Sequence, residues 1–74
     1  MKANQFLACV HRTQQAFGVT VQTDDPRIRR NAQRRFDRAY ARALDEWDKL
    51  TRRERQMVRA CDGVHVIGGA LFFD

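Results

Sequence analysis

Residues 26–42, PRIRRNAQRRFDRAYAR, set seven arginines against a single acid, Asp37. At about 100° per residue, Arg27, Arg30, Arg34, Arg35, Arg38 and Arg42 fall on one arc of a helix. Ile28, Ala32, Phe36, Ala39, Ala43 and Trp47 fall on an arc centred roughly 150° away. Two such faces predict an amphipathic helix that packs its apolar side on the protein and presents cations on the other. Asp24-Asp25-Pro26 marks its start: Asp25 is the cap, and Pro26 takes the first helical position, where a missing N–H loses nothing. The pattern continues to about Lys49, long for a 74-residue chain.

Upstream, residues 4–17 read as an amphipathic helix. Phe6, Val10, Thr13 and Phe17 lie on one side, flanked by Leu7, Cys9 and Ala16. Asn4 is its expected N-cap and Gly18 its stop. Val19-Thr20-Val21-Gln22 has the β-branched residues of a short strand. Downstream, Thr51 and Glu54 fit a capping box that breaks the long helix near Leu50 and opens a third helix of about three turns. Met57, Val58 and Cys61 are its expected inner side, and Arg52, Arg55, Gln56 and Arg59 its outer side. Asp62-Gly63 ends it. Gly68-Gly69 between two β-rich runs predicts a two-residue hairpin. It pairs Ile67 with Ala70, Val66 with Leu71, His65 with Phe72 and Val64 with Phe73. The expected architecture is one α+β domain over residues 1–74: three helices, the second long and Arg-rich, on a small antiparallel sheet. That sheet is made of the C-terminal hairpin, with or without residues 19–22 as a third strand.

Composition sets the bounds. A chain of 74 residues is near the lower limit for one unassisted core. Cys9 and Cys61 are the only thiols, both on expected apolar faces, and read as buried and reduced in a cytoplasmic protein. The first ten residues lack the apolar core of a signal peptide. The longest apolar stretch, residues 64–73, is too short to span a bilayer, so a soluble chain is expected. Fourteen basic residues against nine acidic ones give a net charge of +5, which favours anionic partners. Arginine outnumbers lysine twelve to two. Guanidinium reads phosphate and carboxylate with two parallel donors, although a GC-rich genome produces the same skew.

Three arginines, Arg27, Arg29 and Arg30, sit at the end of the long helix where the macrodipole disfavours cations. That end also offers free amides, so with the guanidiniums it can meet phosphate. As a solvated face, the stripe would be neutralised by Asp25 with Arg29, Asp37 with Arg34, and Asp45 with Arg42 or Lys49. Arg27, Arg30, Arg35 and Arg38 keep no helical partner even then. The candidate contacts are therefore Arg27, Arg30, Arg34, Arg35, Arg38 and Arg42, extended by Arg52, Arg55 and Arg59 of the third helix. The hairpin is apolar on both faces. Val64, Val66, Leu71, Phe72 and Phe73 are its expected protein interface, and a homodimer is a natural way to cover them.

The order helix, strand, helix, helix, hairpin matches a winged helix and would put Arg52, Arg53, Arg55, Gln56 and Arg59 in a major groove. Against it stand the length of the second helix and a hairpin without Lys or Arg. Leu50-Thr51-Arg52-Arg53-Glu54-Arg55-Gln56 resembles the opening of the DNA-binding domain of LuxR-type regulators. The resemblance covers those seven residues and implies a shared helix cap, with no function carried across. Cys9, His11, Cys61 and His65 do not make a zinc set, because Cys9 and His11 point to different faces of one helix. No P-loop, nucleophile elbow or His-Glu-x-x-His run occurs, so neither a cofactor nor an enzyme is expected. Phe36 and Trp47 read as core rather than a base-stacking platform, and Tyr40, at the edge of that arc, is open to either role.

The sequence thus predicts a small non-enzymatic protein that docks an arginine face on nucleic acid or a nucleoprotein. The rival expectation is a protein–protein inhibitor or adaptor of the kind phages and other mobile elements encode, such as an anti-defence or anti-CRISPR-like protein. It would bind an acidic or nucleic-acid-binding surface of a host complex. Exposed Phe72 and Phe73 would favour the rival; a covered hairpin beside a continuous arginine stripe would favour nucleic acid.

Overall fold

The computed structural model describes residues 2–73: α1 (Lys2–Gln22), α2 (Pro26–Asp48), α3 (Arg52–Asp62), β1 (Val64–Ile67) and β2 (Ala70–Phe73). Residues 23–25 join α1 to α2, and so short a loop forces them antiparallel. Ring pairs fix their register: Phe6 lies 5.1 Å from Trp47 and Phe17 6.1 Å from Phe36, centroid to centroid. The molecule measures 42 × 23 × 20 Å, its long axis set by α2, which at 1.5 Å per residue is about 34 Å long.

The caps at the start of α2 and at both ends of α3 are those the sequence predicts. Asp25 accepts a 2.9 Å bond from the Arg27 amide, with Pro26 behind it. Thr51 Oγ1 accepts from the Glu54 amide at 3.2 Å while Glu54 Oε1 accepts from the Thr51 amide at 2.8 Å. Gly63 closes α3 at φ 67°, its amide donating to the Arg59 carbonyl. Gly68 and Gly69 take φ 58° and 77°, the left-handed pair that a two-residue turn requires. The strand register is Val64 with Phe73, His65 with Phe72, Val66 with Leu71 and Ile67 with Ala70.

Residues 19–22 correct the expectation. They are helix rather than strand: α1 runs through Gly18 to Gln22, and the Thr23 amide donates to the Val19 carbonyl. The sheet therefore has two strands. Continuing the helical hydrogen bonds of α1 up to the Thr23 amide, with Val19 and Thr20 half-buried, outweighs β propensity and the glycine, which disfavours a helix by only about 1 kcal/mol. Asn4, expected as the cap, lies inside the helix. Met57 and Cys61, expected inside, are exposed, and Val58 is the buried residue of α3. Eleven residues form so short a helix that one narrow stripe reaches the core.

That core gathers at one end of the helical hairpin. Phe6, Val10, Trp47, Leu50, Val58 and Val64 are buried together, with Leu7, Val66 and Leu71 packed against them. Beyond it, Ala16, Ala32 and Ala39 are the buried contacts of α1 and α2. Small side chains there let the two backbones approach closely. The Tyr40 hydroxyl accepts a 2.9 Å bond from the Leu71 amide, tying β2 to α2.

Candidate anion-binding face

The arginine arc of α2 forms as the sequence predicts. Arg27, Arg30, Arg34, Arg35, Arg38 and Arg42 are all exposed, opposite buried Ala32, Ala39, Ala43 and Trp47. The expected ion pairs do not form. Asp25 caps the helix, Asp37 accepts from Gln33 Nε2 at 3.0 Å, and Arg29 donates to the Thr23 carbonyl at 2.9 Å. Lys49 Nζ pairs instead with Glu46, at 3.3 Å. The side chains of the six arc arginines make no hydrogen bond or ion pair with the described residues.

One flank of the arc meets α1. There Arg35, Arg38 and Arg42 stand across a cleft of about 300 Å³ from Arg12, with Gln15 beside them. Ala16, Val19 and Ala39 complete its lining. Four arginines from two helices thus line one apolar-floored cleft, and no acidic residue is among its lining. Like charge concentrated in this way can attract an anion. Arg27, Arg30 and Arg34 continue the stripe beyond the cleft along α2.

Arg12 is the residue that the sequence reading misses. Ending the first helix at residue 17 and following it with a strand leaves its direction relative to α2 undefined. The pairing of Phe6 with Trp47 and Phe17 with Phe36 makes partners sum to about 53, which sets Arg12 beside Arg38 and Arg42. The signal was the three-residue loop: two helices joined so tightly must lie side by side.

The third helix divides its arginines. Arg55, expected to face outward, is half-buried. Its guanidinium sits 5.4 Å from the Trp47 ring centroid, and its Nε donates to the Trp47 carbonyl at 3.1 Å. A cation at the C-terminal end of α2 meets both orphan carbonyls and the negative pole of the dipole, so Arg55 braces α3 on α2. Arg52 and Arg59 are exposed around a second, smaller depression shared with Trp47 and His65.

Hairpin residues also divide. Val64 is buried and Val66 and Leu71 are half-buried in the core of this same chain, so they are not free for a partner. His65 is buried too, its ring stacked 5.6 Å from Phe72. Ile67, Phe72 and Phe73 remain 58%, 45% and 51% exposed. Phe36 and Tyr40 stack at 5.6 Å on the flank of α2 that faces the hairpin, away from the arginine cleft.

Among the described residues no group of three or more His, Cys, Asp or Glu could hold a metal ion. Among the described residues no helix is long and apolar enough to cross a membrane. The element order also lacks the strand between the first two helices on which the winged-helix expectation rests. No protein-family model, curated protein or solved structure matches the chain.

Proposed function

We propose that this is a non-enzymatic binding protein that docks its arginine face on nucleic acid, free or within a nucleoprotein. The observation that carries the reading is the exposed arc of Arg27, Arg30, Arg34, Arg35, Arg38 and Arg42 on α2, none of which pairs with an acid among the described residues. Fixed cations of this kind release counter-ions from a polyphosphate and give affinity without sequence preference. Cytoplasmic residence, with Cys9 and Cys61 reduced, belongs to the same proposal.

The test is binding to mixed-sequence DNA and RNA, duplex and single-stranded, by the wild type and by Arg30→Ala/Arg34→Ala. Micromolar or tighter binding that falls about tenfold in the double variant, at unchanged thermal stability, is expected. Absence of binding at about 50 mM salt would remove the reading.

A second reading has its own observation. Ile67 and Phe72 on one face of the hairpin and Phe73 on the other stay exposed, the feature that favours a protein partner: the host complex of an inhibitor or adaptor, or a second copy of this chain. Phe72→Ser/Phe73→Ser separates the two readings. It should leave nucleic-acid binding intact and abolish any concentration-dependent self-association in sedimentation. A partner held only through the hairpin, in a protein that binds no nucleic acid, would put the second reading first.

A further inference from the structure

Resting on the nucleic-acid reading, we infer that the cleft between α1 and α2 seats one nucleotide of a single strand, and that the protein prefers single strands to duplex. The stripe on α2 alone is a convex ridge, and a ridge meets the phosphates of a duplex or a single strand alike. The cleft is concave. At about 300 Å³ it lies at the low end of small-ligand sites, roughly 300–1,000 Å³, and it admits only a group that can enter it. Bases in a duplex are stacked inside and cannot; a base in a single strand is free to leave the stack.

The lining suits both halves of a nucleotide. Ala16, Val19 and Ala39 supply an apolar floor for a ring. The guanidiniums of Arg12 and Arg42 can lie flat on a base or fork onto a phosphate. Gln15 adds a neutral donor and acceptor. An acidic peptide would satisfy the cations and leave the apolar floor without a matching ring, so the strand is the better fit. From Arg42 to Arg27 the stripe rises about 22 Å, which gives the flanking phosphates a track and a footprint near the short end of the ~4–16 nucleotide range of single-strand sites.

Arg12 makes this testable apart from the reading it rests on, because it belongs to the cleft and not to the α2 stripe, whereas Arg27 belongs to the stripe and not to the cleft. Fluorescence anisotropy of a labelled oligothymidylate and of a blunt duplex of equal length, at about 100 mM salt, reads both for the wild type, Arg12→Ala and Arg27→Ala. Thermal unfolding checks that each variant folds. The single strand should bind about tenfold tighter than duplex, and Arg12→Ala should lose about tenfold on the strand while barely changing the duplex. Arg27→Ala should weaken both alike, about two- to threefold. Duplex bound as tightly as single strand, or a single-strand preference that survives Arg12→Ala, would overturn the cleft and leave the arginine face standing. No binding of either nucleic acid, whether or not a polyglutamate probe binds instead, would overturn both.

Discussion

The two ends of the α1–α2 hairpin are built from different side chains. At the end where α3 and the β-hairpin join, Phe6, Trp47, Leu50, Val58 and Val64 bury large apolar groups against one another. Toward the connecting loop the seam is Ala16, Ala32 and Ala39, and the larger residues Phe17, Val21 and Ile28 remain exposed. Hydrophobic stabilisation scales with buried apolar area, so the first end carries most of it. The cationic stripe runs along the second end, and its cleft opens over the alanine seam. Separating the two lets like charges accumulate where little packing depends on them.

Variants can break or sharpen that contrast. Trp47→Ala removes a ring that touches Phe6 and supports Arg55, and should destabilise by about 3–5 kcal/mol. For a domain this small that leaves it largely unfolded, as read by urea denaturation. Phe17→Ala, the same kind of change at the other end, should take away less than about 1 kcal/mol because the ring is half in water. Equal losses at both ends would erase the distinction. Next in size, Thr51→Ala removes the capping box and should lower stability by about 1 kcal/mol, with α3 exchanging its amide protons faster.

Gly18→Ala should act in the opposite direction. A Cβ there meets nothing within 4 Å and the residue lies inside α1, so the variant should gain roughly 0.5–1 kcal/mol. A loss would mean that α1 does not persist through Gly18. The smallest effect belongs to the stripe itself. Arg27 and Arg30 stand in the first turns of α2, which hold no acid of their own. Replacing either by Ala should raise stability by about 0.3–1 kcal/mol at low salt and by almost nothing at high salt. A clear destabilisation would make these arginines structural.

Local signals with one physical cause were readable in the chain. The capping box, the Asp25-Pro26 start, the Gly-Gly turn and the strand register each depend on a few neighbouring residues and formed as expected. Apart from the Asn4 cap, which fell inside α1, what failed depended on distant contacts. Residues 19–22 have strand-forming side chains, but α2 lies beside them and extends the helix. Met57 and Cys61 alternate with the arginines as an inner face should, yet the core reaches only Val58. The α2 half of the candidate site was legible from periodicity, because six arginines on one arc need no tertiary information. Arg12 was not, since its place depends on the register of two helices. Nor was the bracing role of Arg55, which depends on where the end of α2 lies.

The central claim, that the arginine face is a polyphosphate-binding surface, is tested most directly by the salt dependence of wild-type binding to single-stranded nucleic acid between about 50 and 300 mM salt. Four or more phosphate contacts should give a straight log–log plot with a slope of about −3 or steeper. A slope near zero, or no binding at the lowest salt, would contradict it.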